Sequence, residues 1–354
     1  MNVTSGERKA MLRALRLARE GWPSVFPNPM VGAVVLDSDG NPVGEAHHEC
    51  CGGRHAEVMA IDRAEGRLDG ATLVVTLEPC AHQGKTPPCV ETVAASGVKR
   101  VVAAMVDPDP RVSGRGVTYL KEHGIHVEVG LFEEQARDLN RVWVHCMSTR
   151  RSFLHLKMAV SLDGRAAASD GSSRWITGAA SRERVHEMRS RAHAVMVGGG
   201  TALRDNPTLS TGKYSGHRPV RVIVTEHALP EDLTVYKDGN RTITAISAGC
   251  DWAPPGEAIV FNDLAHLLQL TLSLDLGLVL CEGGPGIATA LVNEGLVDRI
   301  SVFTAPKLLG GGGIPVFRDL WVTDIGSAVN LENTVVEVLG EDTLVEGKLV
   351  YRSY

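Results

Sequence analysis

His55-Ala56-Glu57, Pro79-Cys80 and Pro88-Cys89 are the residues of this 354-residue chain whose types and spacing are best suited to chemistry. One imidazole and two thiolates supply three ligands for Zn2+ and leave the fourth tetrahedral position to water, the arrangement of a catalytic rather than a structural site. Glu57 stands two residues beyond the first ligand, so its carboxylate is free to carry protons. A lone histidine at a helix start is usually a cap, and isolated cysteines are usually small core hydrophobes. Three residues in this order outweigh that reading. A closed structural site would need a fourth protein donor, and His47, His48, Cys50, Cys51 and His82 are near enough in sequence to be candidates. Glu57 favours the open site, because a closed one leaves it without a task.

The donor set dictates the reaction. Zinc lowers the pKa of its bound water to about 7, which makes a nucleophile available at neutral pH. A His-x-Glu followed by Pro-Cys and a further Cys is the pattern of zinc-dependent base deamination, with the glutamate shuttling a proton from water to the leaving amine. The first third of the chain is therefore expected to remove ammonia from a cytosine- or guanine-like ring. Asn28, between Pro27 and Pro29, offers both donor and acceptor to a pyrimidine edge. Without the zinc motif it would read as a turn residue.

The elements that must position these residues alternate between the two periodicities. Helical spacing is expected over Glu7–Glu20, His55–Ala64, Val90–Ser96 and Gly116–His123. Strands are expected at Met30–Leu36, Asn41–Ala46, Ala71–Leu77, Lys99–Val106 and His126–Gly130. Such alternation indicates an α/β sheet covered by helices. A boundary is expected at the polar basic stretch Ser148-Thr149-Arg150-Arg151, giving domains 1–147 and 148–354. The second half has its own βα rhythm. Strands are read at Phe153–Val160, Ala194–Val197, Pro219–Thr225, Gly277–Cys281 and Arg299–Thr304, helices at Ser181–Ala192, Asp263–Leu274 and Ile287–Glu294, and a terminal hairpin at Val335–Val350.

Composition narrows the partners. A hydrophobic share of 44% with 22% charged residues is that of an ordinary globular chain, and the length favours two domains. The apolar runs are too short to span a bilayer, which excludes a membrane partner and predicts a cytoplasmic protein. Seven cysteines without a secreted spacing pattern agree with a reducing compartment. A formal net charge of −6 disfavours nucleic acid and points to a small-molecule substrate. Association of copies into a homo-oligomer is expected, with no sequence feature fixing their number.

In the second half, Glu282-Gly283-Gly284-Pro285-Gly286 lies between a strand and a helix, where backbone N–H groups and a helix start can hold a diphosphate. It is not a G-x-G-x-x-G fingerprint, and such turns are often only turns. Lys157 alternates with Leu156 and Met158 on a strand, so its ammonium points to the opposite face. The bland alternative is a snorkelling lysine.

Three runs of the first half, Asn28-Pro29-Met30-Val31-Gly32, Gly52 to Val58 and Thr76 to Cys89, closely resemble the bifunctional riboflavin-biosynthesis deaminase-reductases of the bacterial RibD family. The second half resembles the same family independently, in Leu156 to Arg165, Trp175-Ile176-Thr177, Thr201 to Pro207 and Ala305 to Gly310. The resemblance implies an α/β fold in both halves: a cytidine-deaminase-like α/β/α N-terminal domain and a dihydrofolate-reductase-like C-terminal domain. It also implies two consecutive reactions on a phosphorylated pyrimidine: zinc-dependent deamination of 2,5-diamino-6-(5-phosphoribosylamino)pyrimidin-4(3H)-one, then NADPH reduction of its ribosyl group to ribityl. By the same carry-over Ala159, Trp175, Thr201, Asp205, Gly284, Pro285, Gly286, Ile287, Ala288, Thr289 and Ala290 contact the cofactor, while Ser173, Arg189, Leu209 and Glu282 contact the substrate. Lys157 is placed at the reacting ribose. One departure stands out: where the family carries an arginine for the substrate phosphate shortly after Leu209, this chain reads Ser210-Thr211-Gly212-Lys213. A lysine point charge does not reproduce a guanidinium fork.

Two other readings compete. A nucleoside or RNA deaminase with an appended domain would need a basic face or an aromatic-lined channel, against which the charge and the 5% aromatic content argue. A zinc-stabilised binding module with decayed sites would have no use for Glu57.

Overall fold

The computed structural model describes residues 2–83, 87–109, 112–214 and 216–351, so the Gly84-Lys85-Thr86 part of the third motif run lies outside the described residues. The chain divides into two compact units, Met1–Arg150 and Arg151–Tyr354.

The first unit opens with α1 (Ser5–Ala18), followed by the hairpin β1 (Gly32–Leu36) and β2 (Pro42–His47). Then come α2 (Ala56–Arg63), β3 (Thr72–Val75), α3 (Cys89–Ala95), β4 (Arg100–Ala103), α4 (Arg115–Glu122) and β5 (His126–Val129). Two helices, α5 (Glu133–Leu139) and α6 (Arg141–Thr149), close the unit. Helix α1 starts where it does because Thr4 and Glu7 form a capping box, the Thr4 hydroxyl accepting from the Glu7 N–H at 3.1 Å and the Glu7 carboxylate from the Thr4 N–H at 2.6 Å. Its Met11, Ala14 and Leu15 face the sheet and are buried. Gly32 permits the contact: a Cβ there would lie 2.0 Å from the Ala14 carbonyl oxygen.

The five strands run in the order β2-β1-β3-β4-β5, antiparallel from β2 to β3 and parallel from β3 to β5. Parallel strands buried on both faces read as apolar runs, as Leu73-Val74-Val75 and Val101-Val102-Ala103 do.

The second unit begins with β6 (Phe153–Ser161), β7 (Arg165–Ala167), α7 (Ala179–Ser190), β8 (Ala194–Gly198) and α8 (Gly199–Asp205). It continues through β9 (Val220–Thr225), α9 (Thr234–Lys237), β10 (Thr242–Ser247), β11 (Glu257–Phe261), α10 (Leu264–Ser273), β12 (Leu278–Cys281) and α11 (Pro285–Asn293). The last elements are β13 (Arg299–Ala305), β14 (Ile314–Pro315), β15 (Asn330–Leu339) and β16 (Asp342–Val350). Nine strands form one sheet in the order β11-β10-β9-β8-β12-β6-β13-β16-β15, parallel as far as β13, with β16 and β15 antiparallel at one end.

Besides the short β7, α9 and β14, three longer elements here escape the periodicity. Strand β11 is largely exposed and takes its order from parallel pairing with β10, a long-range contact that a local pattern does not carry. Strand β10 alternates threonine with apolar residues within a turn-rich stretch. Helix α8 starts on Gly199 and Gly200, poor helix formers. Packing decides there, since a Cβ on Gly199 would lie 2.6 Å from the Thr225 hydroxyl. The α/β class holds as expected, and the main sheet of each half is mixed. Among the described residues no helix is long and apolar enough to cross a membrane.

Candidate active sites

In the first unit two helix starts and a loop converge. His55 is the N-cap residue of α2, with extended backbone (φ −78°, ψ 155°) and a side chain that makes no capping bond, which leaves the imidazole for another partner. Cys89 is the first residue of α3, and Cys80 follows β3 on the loop between them. The His55 Nδ1 lies 3.0 Å from the Cys89 sulfur and 3.5 Å from that of Cys80, and the Cys89 N–H donates to the Cys80 sulfur at 3.3 Å. All three donor atoms fall within 4.8 Å of one another, and among the described residues no fourth His, Cys, Asp or Glu joins the group. The candidates His47, His48, Cys50, Cys51 and His82 stay outside it. Hydrogen bonds from Cys89 and His55 pull the Cys80 thiol down to about 4, while the neighbouring Cys80 sulfur and burial push Cys89 up. Thiols that contend for one proton at this distance are a donor set that a single divalent cation satisfies. The residues fit zinc.

Glu57 lies in the first turn of α2 and is 4% exposed. Burial, reinforced by the Cys80 sulfur, pushes its carboxyl up to about 7. It lines a cavity of about 660 Å³ together with Asn28, His48, His55, Cys80 and Trp143.

Three further residues hold this arrangement, none of them assigned that task by the sequence. His48 is buried, with Nδ1 3.0 Å from the Arg54 carbonyl and Nε2 3.0 Å from the Asn28 amide nitrogen. A carbonyl only accepts, so Nδ1 carries the proton, and burial keeps the ring neutral. Nε2 therefore accepts from Asn28, which fixes which end of that amide is the nitrogen. Asn140 grips the same loop from the other side: its Oδ1 accepts from the Met30 N–H at 2.8 Å and its Nδ2 donates to the Met30 carbonyl at 2.9 Å. Glu78, also buried, accepts from the backbone N–H groups of Asp107, Gly114 and Val117 at 2.9, 2.8 and 3.3 Å, tying the loop before Cys80 to the start of α4. An acid beside the Pro-Cys is the one trace of it in the sequence, and its burial is seen only in the fold.

In the second unit the parallel order sets the site. Strands β8 and β12 are neighbours, and each feeds a helix start, α8 at Gly199 and α11 at Pro285. A cleft of about 800 Å³ opens beside these strand ends. Its wall includes Lys157, Ala159, Ser173, Trp175, Arg189, Thr201, Asp205, Leu209, Glu282 and the run Gly284, Pro285, Gly286, Ile287. Ala288, Thr289 and Ala290 are not on that wall; they lie deeper in α11, where the Thr289 hydroxyl donates to the Pro285 carbonyl at 2.6 Å.

Strand alternation places Leu156 and Met158 in the core and turns Lys157 into the cleft. Burial lowers the Lys157 pKa, the charge of Glu282 opposes that shift and Arg189 adds to it. Arg189 forks onto Glu282, with Nε to Oε1 at 2.5 Å and Nη2 to Oε2 at 2.9 Å, and its remaining nitrogen donates to the Ser210 carbonyl at 2.9 Å. Burial alone would raise the Glu282 pKa, but the guanidinium brings it below the ordinary carboxylate value. At the helix starts the walls are backbone. A Cβ on Gly283 would lie 2.1 Å from Ile287 Cγ2, and one on Gly284 3.1 Å from the Thr201 hydroxyl. This open cradle of N–H groups fits a dinucleotide diphosphate. Trp175 is 64% exposed, with the Arg182 guanidinium 4.6 Å from its ring centroid, and Lys307 fastens its loop by donating to the Trp175 and Ile176 carbonyls at 2.8 and 2.7 Å.

A zinc-dependent deaminase joined to a nucleotide-dependent reductase is the class that these two units define. The comparisons with known proteins carry this to a family. Residues 4–105 match the model of the cytidine and deoxycytidylate deaminase zinc-binding region, and residues 152–345 match that of the RibD C-terminal domain. The riboflavin biosynthesis protein RibD of Aquifex aeolicus is 38% identical over 96% of this chain and 97% of its own length. That of Escherichia coli is 36% identical over 85% of this chain and 88% of its own. The solved structure of Acinetobacter baumannii RibD superposes with a TM-score of 0.88 at 34% identity, covering 98% of this chain and 99% of that one. A diaminohydroxyphosphoribosylaminopyrimidine deaminase/5-amino-6-(5-phosphoribosylamino)uracil reductase from Thermotoga maritima matches with the same score at 37% identity. The chain belongs to the RibD family of bifunctional deaminase-reductases of riboflavin biosynthesis. Its deaminase half is a zinc-binding domain, its reductase half is NADPH-dependent, and it acts on a small molecule.

Proposed function

We propose that the first domain deaminates 2,5-diamino-6-(5-phosphoribosylamino)pyrimidin-4(3H)-one and that the second reduces the ribosyl group of the product to ribityl. The observation that carries this reading is the convergence of His55, Cys80 and Cys89 beside a buried Glu57 in one domain and of Lys157, Arg189 and Glu282 in the other. The relative from Thermotoga maritima, whose name states both activities, supports the choice of substrate.

In the deaminase, His55, Cys80 and Cys89 would hold zinc, which when bound supplies the positive charge that makes water nucleophilic at neutral pH. Glu57 takes the proton from the attacking water and delivers it to the exocyclic nitrogen, so that ammonia leaves as the ring carbon gains oxygen. Burial raises the affinity of this carboxyl for a proton, which suits it to hold the proton between the two transfers. Asn28, oriented by His48, presents its amide to the pyrimidine edge and holds the ring in register.

In the reductase, NADPH when bound supplies the hydride. Gly284, Pro285, Gly286 and Ile287 would cradle its diphosphate, with Ala159, Trp175, Thr201 and Asp205 along the same wall. Lys157 holds an acidic proton toward the nitrogen joined to C1, which receives the electron pair as the C1=N imine of the opened ribose is reduced to the ribitylamine, and the Arg189–Glu282 pair keeps that side of the cleft from collapsing. Ser173 and Leu209 complete the substrate side.

We also infer a homo-oligomer in the cytoplasm. The edge strand β15 supports association, because Val335, Val336 and Val338 are 56%, 64% and 72% exposed on it, an apolar edge that invites pairing.

The test is an assay on purified, metal-quantified protein given the diaminopyrimidine ribotide, with ammonia release and NADPH oxidation followed separately. Both signals in that order, with one zinc per chain, are expected. Ammonia without NADPH oxidation would restrict the reading to the deaminase, and neither signal would overturn it.

A further inference from the structure

The proposed substrate carries a phosphate at the far end of its sugar, and the cation nearest to Leu209 in sequence does not serve it. Lys213 is 72% exposed, its Nζ lies 2.8 Å from Glu183, and it takes no part in the cleft wall. The neighbouring Gly212 has φ +60°, and a Cβ there would lie 2.0 Å from Nδ1 of His186. The imidazole of His186 thus occupies the space into which a side chain from position 212 would project.

His186 comes from α7, whose residues 182, 186 and 189 fall on one helical face, and all three line the cleft. Each nitrogen of Arg189 already donates to Glu282 or to the Ser210 carbonyl, and the Glu282 carboxylate balances its charge where it stands. Arg182 donates one N–H to the Thr177 carbonyl at 2.8 Å and stacks on Trp175. Its other nitrogens, and both ring nitrogens of His186, make no hydrogen bond among the described residues. Along the helix His186 lies roughly 5 Å and Arg182 roughly 10 Å from Arg189, at 1.5 Å per residue. A ribose phosphate with its reacting carbon at Lys157 and Glu282 is long enough to bring its phosphate into that interval.

We propose that Arg182 and His186 are the phosphate anchor of the reductase cleft, in place of a cation from the Ser210–Lys213 loop. This rests on the reading of the cleft as a ribotide reductase. The guanidinium offers unshared donors in a plane and the imidazole adds one more, which together suit a phosphate dianion. The anchor acts on affinity and stands away from the hydride transfer.

The experiment is calorimetric titration of the full chain with ribose 5-phosphate, with ribose as the phosphate-free reference, alongside reductase kinetics on the deaminated ribotide. His186→Ala and Arg182→Ala should each weaken ribose 5-phosphate binding about tenfold and raise KM in parallel, with kcat within about threefold. Lys213→Ala should leave both quantities unchanged, and NADPH binding to His186→Ala should match that of the unaltered chain. A retained kcat reports that the second domain is folded. Loss of affinity in Lys213→Ala, or an unchanged KM in both α7 variants while the unaltered chain reduces the ribotide, overturns the anchor and leaves the reading of the cleft intact. An unaltered chain that neither releases ammonia nor oxidises NADPH with the ribotide removes the reading and the anchor with it.

Discussion

In the first unit the chemistry resides in side chains that meet at one point from two helix starts, whereas in the second the cleft wall is largely backbone, furnished with one lysine and one buried ion pair. The deaminase site gathers His55, Glu57, Cys80 and Cys89 within a short stretch of chain, each irreplaceable by type. The reductase cleft collects Lys157, Arg189, Thr201, Glu282 and Gly284 from most of a domain, and at Gly283 the requirement is the absence of a side chain. A site of the first kind is broken by changing a functional group. One of the second kind is broken by adding a methyl group or by leaving a buried charge alone.

The largest effect should come from Glu57→Gln, an isosteric change that removes the proton carrier and keeps the three donors. Ammonia release is expected to fall by about 10²- to 10⁴-fold, while zinc content and NADPH oxidation on deaminated substrate stay unchanged. Loss of zinc together with activity would make Glu57 structural. Its counterpart is Lys157→Met, expected to reduce NADPH oxidation by a similar factor, about 10²-fold or more, with ammonia release intact. Full reductase turnover in that variant would exclude the lysine. Because burial lowers the Lys157 pKa, the ammonium is lost as pH rises through a value below the usual 10.5. The reductase rate should therefore decline on the alkaline side earlier than an exposed lysine would allow, and a pH–rate profile reads this directly.

The same contrast explains what the sequence discloses. The His-x-Glu and Pro-Cys pattern carries its chemistry in residue types, so the donor set is legible before any fold is known, and the three-donor geometry agrees with it. His48 is different. Sequence offers it only as a possible fourth zinc donor, and its hydrogen bonds to Asn28 and Arg54 depend on a turn that brings the three together. In the second unit the family resemblance supplies most of the residues, but Ala288, Thr289 and Ala290 turn into α11 by helical geometry that a run of letters does not reveal. Elements follow the same rule. Strongly apolar strands such as β3 and β4 are legible, while β10 and β11 depend on their neighbours. Helix α8 runs against glycine's propensity because a close approach to Thr225 demands it.

Next in size is the buried pair. Arg189→Met would leave the buried Glu282 without its guanidinium partner, with Lys157 and His186 acting on it only through their charge, and breaking such a pair from one side costs about 3–5 kcal/mol. Thermal unfolding of the second unit should shift down accordingly, and the deaminase reaction should survive at temperatures where NADPH oxidation is gone. A double variant, Arg189→Met with Glu282→Leu, should recover much of the stability and none of the reduction. Gly283→Ala should do less damage to the fold, about 1–3 kcal/mol for a methyl group forced against Ile287. Its expected signature is weaker NADPH binding with an unaltered rate at saturating cofactor.

The smallest effect returns to the first unit and asks whether its side-chain site also depends on backbone order. Glu78 touches no donor atom, yet its carboxylate accepts from three backbone N–H groups and so fixes the loop that delivers Cys80. Glu78→Gln keeps the shape but turns one acceptor into a donor facing N–H groups, and outer partners of metal ligands typically carry about 10-fold in affinity. The variant should bind zinc about that much less tightly in a chelator competition, regaining ammonia release when zinc is supplied in excess. If zinc affinity is unchanged, the Cys80 loop is rigid without Glu78, and the division between a side-chain site and a backbone site is sharper than the hydrogen bonds alone imply.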